Sequence, residues 1–284
     1  MATVERMVQH PHLLAGIDGQ LWRQVSAAHH RLLMLDYDGT LAPFHVSRGL
    51  ALPLPRSVEL LGAIAAEPDT RVAIVSGRPL DEMDRLLGPL PVTLVGEHGW
   101  EMRLRDGSDL QHAIPTAALE ILDRAERAAR DRGMGGLLER KRTGVVLHTR
   151  GVLGAGLASE LEEQAWTLWQ ALGEAGSVRL QRIDGGIELR VRGWDKGTAV
   201  RFLAAESPEG TLAVFVGDDV TDEDAFEVVR GIGFGVRVGG GDRPTVAAAS
   251  LPSCTAVPEF LEEWLRVVRE ARGGAHRAPS QGPA

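Results

Sequence analysis

The chain has 284 residues, of which 44% are hydrophobic and 25% charged, with a formal net charge of -8; that composition suits a soluble globular protein of one large or two modest domains. The acidic balance and the absence of a long basic run exclude nucleic acid as the main partner, and no run of roughly 18 apolar residues marks a membrane span. A single cysteine, Cys254, excludes an internal disulfide and a thiolate metal cage, and with an N-terminus lacking the apolar core of a signal peptide it points to the cytoplasm.

Residues 1–29 read as a lead-in segment with a helix that packs through Leu21 and Trp22. The apolar run of RLLMLDYDGT (31–40) ends in polar turn residues, the pattern of a buried parallel strand with a loop at its carboxyl end. A helix is predicted at about 55–67, a second buried strand in RVAIVSGRP (71–79), a helix at 79–87 and a third strand in VTLVGEHG (92–99). Strand–helix alternation implies a parallel, doubly wound sheet. Right-handed crossovers then bring the carboxyl-end loops to one edge, where open α/β sheets bind ligands.

The period changes after residue 108. A helix at 116–133, a hairpin over 136–143 and 144–150, a second helix at 158–176 and a second hairpin over 177–185 and 186–193 form an α-β-β-α-β-β unit, predicted as an insertion spanning 108–193. The first pattern resumes with a helix at 195–206 and a fourth buried strand, TLAVFVGDD (211–219). Next come a helix from 221 with Thr221 as its N-cap, a fifth strand at 231–239 and a closing helix at 256–271. The core is thus predicted as 30–107 and 194–272, followed by a disordered tail, 273–284.

The chemistry concentrates where the core strands end. Asp36 and Asp38 stand two apart at the close of the first strand. One carboxylate there can attack phosphorus while the other serves as acid and then base. Gly39 frees the loop backbone, and Thr40 can donate a hydrogen bond to phosphate. Turn chemistry alone also produces D-x-D-G, so three other segments matter. Ser76, before Gly77, offers a hydroxyl after the second strand. Lys196 opens a helix, where anions are favoured. Asp218 and Asp219 end the fourth strand, with Asp222 close behind, and clustered carboxylates suit a hard cation such as Mg²⁺. Of 31 basic residues only Lys141 and Lys196 are lysines, which marks both as positions where a compact charge serves better than a guanidinium fork.

The ordered set DYDGT, SGR, DKG and GDDVTDEDAF resembles the haloacid dehalogenase-like phosphatases. The resemblance implies an α/β fold: a Rossmann-like parallel-sheet hydrolase core with an inserted α/β cap domain. It implies Asp36 as nucleophile, Asp38 as general acid/base, Ser76 and Lys196 on the phosphate, and Mg²⁺ held by Asp36, Asp38 (through its carbonyl) and Asp218, assisted by Asp219 or Asp222. Thr40, Gly77 and Arg78 fall to the substrate side. The segments GEHGWE (96–101), LERKRTGVVLHTR (138–150) and IELRVRGWDKG (187–197) further resemble the trehalose-6-phosphate phosphatase family. That likeness makes His98, Glu139, Lys141 and Glu188 candidates to grip a sugar, since carboxylates accept and an ammonium donates. It departs at Thr149, where the family has tyrosine, and at the missing proline of the last segment.

The expected activity is Mg²⁺-dependent hydrolysis of trehalose 6-phosphate through an aspartyl-phosphate, with a functional coupling to a trehalose-6-phosphate synthase as a candidate partnership. The alternatives are a phosphatase for another sugar phosphate, such as sucrose phosphate or mannosylglycerate phosphate, a phosphomutase, and a non-catalytic sugar-phosphate sensor.

Overall fold

Every residue of Arg31–Leu35 (β1) is buried, and its side chains alternate between two apolar layers, as the period of a strand requires. Leu33 and Leu35 join one core with Val72, Ile74, Val214 and Val216. Leu32 and Met34 join another with Ala73, Val75, Ala213 and Phe215. A sheet buried on both faces needs helices on both, and the sequence supplies them. A computed structural model describes residues 14–152, 154–183, 185–241 and 243–275.

Among these residues the large sheet has the order β12-β11-β10-β1-β2-β3-β4-β5. Its strands are β1, Thr70–Val75 (β2), Thr93–Gly96 (β3), Glu101–Arg103 (β4), Asp109–Gln111 (β5), Leu212–Gly217 (β10), Gly233–Val238 (β11) and Ala249–Leu251 (β12). Pairing is parallel from β12 to β3 and antiparallel for β4 and β5. Gly19–Ala27 (α1), Pro55–Ala65 (α2), Leu80–Leu87 (α3) and Val257–Ala275 (α8) pack on one face. Lys196–Ala205 (α6) and Glu223–Val229 (α7) pack on the other.

The second sheet, β6-β7-β9-β8, is antiparallel throughout. It is built from Leu138–Arg140 (β6), Gly144–His148 (β7), Val178–Ile183 (β8) and Gly186–Val191 (β9), with Thr116–Asp131 (α4) and Ala155–Gly173 (α5) sharing its apolar core. Trp169 lies inside that core, its indole N–H donating to Ala125 O at 3.0 Å, while Trp166 lies under the Arg182 guanidinium. Packing, not sugar stacking, occupies both rings. This cap rests on the core through Arg142, whose backbone N–H donates to Glu97 at 3.1 Å and whose guanidinium donates to Trp100 O at 3.1 Å.

The structure departs from the sequence reading in four places. β4, β5 and β12 were not foreseen; each has three residues, too short for an alternating pattern to declare itself. The large sheet therefore runs on to Gln111, past residue 107. Thr221 is not an N-cap: Asp219 takes that place, accepting from Val220 N–H and sharing a capping box with Asp222. The closing helix continues to Ala275, into the segment expected as a disordered tail, the rest of which (276–284) lies outside the described residues, as do residues 1–13 of the lead-in.

Trp264, on α8, is fully buried and, among the described residues, its indole N–H has no hydrogen-bond partner. Trp264→Ala is expected to cost about 3–5 kcal/mol in urea unfolding, and Trp264→Phe much less, because the ring persists and the unpaired donor goes. Equal losses would show that the packing account of this helix is wrong.

Candidate active site

Adjacent parallel strands put the residues that follow them side by side. β1 pairs with β10, so Asp36 and Asp218 leave the sheet together, and Asp36 N–H still donates to Val216 O at 2.8 Å. The approach is close. Gly39 sits at φ +76° and a Cβ there would lie 2.1 Å from Asp218 Oδ2, so glycine is required on two counts. Thr40 is buried behind this point and donates to Asp218 Oδ1 at 3.1 Å. It is thus turned toward the acid and not toward a phosphate, correcting its assignment to substrate.

Lys196 enters from the first turn of α6, which Asp195 caps by accepting from Thr198 N–H. Its Nζ lies 2.8 Å from Asp36 Oδ1 and 2.6 Å from Asp222 Oδ1, and all three residues are buried. Burial opposes the lysine's charge, but Asp222 and Asp36 hold its ammonium above the usual lysine range. Asp222 Oδ2 in turn accepts from Asp219 N–H at 2.8 Å.

Burial first, then mutual repulsion among the acids, pushes Asp36 and Asp218 upward, against the pull of Lys196. Oxygens of Asp36, Asp218 and Asp222 fall within 4.8 Å of one another. With all three carboxyls ionised, one ammonium would leave an excess of two negative charges on hard oxygen donors. The donor set fits a divalent oxygen-seeking cation, and a cation there would offset the repulsion that raises the two acids. The side chains of Asp38 and Asp219 stand outside this group. Asp219 caps Val220 and faces Arg243 at 3.8 Å, while Arg243 also donates to the Asp218 carbonyl at 2.8 Å. Arg243 lies 25 residues beyond Asp218 on a different loop, and no spacing in the sequence announces it.

Asp38 faces the same pocket but is gripped from behind. Arg78 Nε and Nη2 donate to its two oxygens at 2.7 and 2.6 Å, a fork-on-carboxylate geometry. Arg78 is buried, also pairs with Glu82 and lies over the Tyr37 ring. It is therefore a holder of Asp38, which corrects its placement among substrate contacts. Ser76 Oγ accepts from Arg78 N–H at 3.1 Å, which leaves the hydroxyl hydrogen to donate into the pocket. Gly77 lies against the His98 ring, where a Cβ would meet Nε2 at 2.6 Å.

The cap closes this edge into a cavity of about 360 Å³, lined from the core by Asp36, Asp38, Ser76 and Lys196 and from the cap by Lys141 and Glu188. Both lysines of the chain thus face one cavity. Glu188 is buried and accepts from Gln181 at 2.9 Å and from Lys141 at 3.4 Å. Burial alone would raise its carboxyl, yet Lys141 and then Arg190, with the hydrogen bond from Gln181, draw it down from 4.5 to about 2. His98 sits at φ +59°, with Nε2 3.9 Å from Glu188 and a buried Nδ1 that has no partner among the described residues. Burial and then Arg190 keep its ring neutral.

Glu139 does not line the cavity; its Oε2 lies 2.6 Å from His148 Nε2, and His148 lines the cavity instead. Sequence reasoning passed over His148, although the LHTR segment containing it had been singled out. It also missed Phe44, Val46 and Arg150, which line the cavity too. Thr149, at the family's tyrosine position, is buried and donates to Glu162 at 2.5 Å. Among the described residues no helix is long and apolar enough to cross a membrane.

Residues 34–250 match the family model described as trehalose-phosphatase. The chain is 33% identical over 239 residues to the trehalose-phosphate phosphatase of Mycobacterium marinum, covering 80% of this chain and 60% of that protein. It is 36% identical over 240 residues to the bifunctional trehalose-6-phosphate synthase/phosphatase of Thermoproteus tenax, covering 83% and 32%. The chain thus spans about 60% or less of these curated relatives. The C-terminal domain of Candida albicans trehalose-6-phosphate phosphatase superposes with a TM-score of 0.76 at 23% identity, over 87% of this chain and 96% of that one. At that identity the superposition speaks for the fold, an α/β core with a cap.

Because the Glu188 carboxyl is lower in the folded protein than in the unfolded chain, its ionised form stabilises the fold above about pH 4.5. That contribution is lost as pH falls toward about 2. Glu188→Gln should therefore be less stable than the native protein at pH 7, with the gap shrinking by about 2 kcal/mol as pH falls from 5 to 3. Urea midpoints across that range give the answer; a gap independent of pH contradicts the charge assignment.

Proposed function

Because the chain belongs to the trehalose-phosphatase family, we propose that it hydrolyses trehalose 6-phosphate to trehalose and phosphate, using Asp36 as the nucleophile. The observation that carries this reading is the convergence of Asp36, Asp38, Ser76 and Lys196 on one cavity. A carboxylate already paired with an ammonium can accept a phosphoryl group there.

Attack by an Asp36 oxygen forms an Asp36 O–P bond and breaks the bond from phosphorus to the sugar oxygen. Asp38 gives that departing oxygen its proton, then takes one from the water that splits the aspartyl-phosphate. The Arg78 fork fixes the Asp38 carboxyl in place from behind, so that the same group can give the proton in the first step and take one in the second. Ser76 and Lys196 hold phosphoryl oxygens as charge shifts onto them. Mg²⁺, held by Asp36, Asp218 and Asp222, would offset the charge brought together when an anionic nucleophile meets an anionic ester. Lys141 and Glu188 supply a donor and an acceptor for sugar hydroxyls, and His98 a neutral ring beside them.

A sugar ester of this kind is supplied by a glycosyl-transfer reaction. The relative from Thermoproteus tenax is named for both activities, and that supports functional coupling of this chain to a trehalose-6-phosphate synthase. A cytoplasmic setting matches the single cysteine and the acidic surface.

Phosphate release from trehalose 6-phosphate is expected to stop with a chelator and in Asp36→Asn. Asp38→Asn should lower kcat by about 100-fold or more while KM changes little, as for a group acting in the transition state. Turnover in Asp36→Asn comparable to native would refute the nucleophile.

A further inference from the structure

The cavity has a second kind of wall that the phosphate chemistry does not use. Phe44 and Val46 follow Asp36 by only a few residues, on the core loop after the nucleophile, and both line the cavity. They are 42% and 70% exposed and contribute little to the hydrophobic core. Between and beside them a local turn is closed by Ser47 N–H donating to His45 Nδ1 at 3.0 Å. The segment meets the cap at one turn. The Arg150 guanidinium lies 4.0 Å from the Phe44 ring centre, and Val46 packs against Gly151, where an added Cβ would come within 2.7 Å of Val46 Cγ1. Apolar side chains set beside a few convergent polar groups in one cavity are the composition of a small-molecule site.

A pyranose has a polar rim of hydroxyls and two apolar C–H faces. The rim needs donors and acceptors, which Lys141 and Glu188 provide. The faces need flat or branched apolar surface, which Phe44 and Val46 provide. Lys141, Glu188, Phe44 and Val46 all line the one cavity, so a ligand that fills it meets a polar and an apolar wall together.

We propose that Phe44 and Val46 are specificity-determining residues that seat the second ring of a disaccharide phosphate and so discriminate it from a monosaccharide phosphate. The inference rests on the trehalose 6-phosphate reading above and extends it to residues on the core side. The rival explanation is that the segment merely props the cap through Arg150 and Gly151, and it predicts a different pattern, because a cap that closes badly impairs every substrate alike.

The test compares kcat/KM for trehalose 6-phosphate and glucose 6-phosphate in the native protein, in Phe44→Ser/Val46→Ser and in the conservative Phe44→Leu. The double variant should lose about tenfold or more on the disaccharide ester, the scale of a lost apolar contact in a specificity pocket. It should keep its rate on glucose 6-phosphate, and Phe44→Leu should recover most of the discrimination. A native enzyme that prefers the disaccharide, with a double variant whose ratio is unchanged or that loses both activities equally, overturns this inference alone. A native enzyme with no preference for the disaccharide overturns the substrate reading as well.

Discussion

Three carboxylates face one another inside this protein, and the ammonium of Lys196 is what allows two of them to stay there. Removing charged oxygens from water is costly unless each finds a partner. Lys196 touches Asp36 and Asp222 at once. Asp222 then holds the backbone of Asp219, and through that turn the loop that carries Asp218. Asp218 is held in its turn by Thr40 and Arg243. The loops after β1 and β10 and the start of α6 are thus fastened by charge, and the excess negative charge left over is the feature that calls for a cation. Asp36, Lys196, Asp218 and Asp222 thus form one electrostatic unit.

A second fastening lies on the cap. Lys141 and Glu188 repeat the logic of a buried pair, again with additional hydrogen bonding, here from Gln181. On the proposed function, the core carries the charges that would move a phosphoryl group, and the cap carries charges that would meet neutral hydroxyls. His98 stands between them, its ring against Gly77 of the phosphate turn and its Nε2 directed to Glu188. The two sides differ in what substitution would do: core changes alter turnover, and cap changes alter which ester is held.

The placement of Asp36, Ser76, Lys196 and Asp218 was legible because it follows from topology. Residues at the carboxyl ends of neighbouring parallel strands must meet, whatever their side chains do. The two lysines were legible for a related reason, since a chain that otherwise uses arginine marks the positions that need a compact cation. What could not be read was the direction of side chains. Thr40 and Arg78 lie in the right motifs, yet one turns to Asp218 and the other to the back of Asp38. Glu139 follows Leu138, which lines the cavity, on the same strand, and its own carboxylate meets His148 of the wall. The sequence also leaves open which of Asp219 and Asp222 faces the cluster, because two acids in one turn look alike until the capping box is seen. Phe44 and Val46 carry no motif and become visible only when the cap turn is placed beside them.

The central claim is that Asp36, Asp218 and Asp222, with Lys196 between two of them, form a site for one divalent cation. Calorimetric titration of Mg²⁺ into the native protein and into Asp218→Asn tests it without reference to turnover. The account predicts about one ion bound per chain in the native protein and loss of that binding in the variant. Indistinguishable isotherms for the two proteins would contradict it.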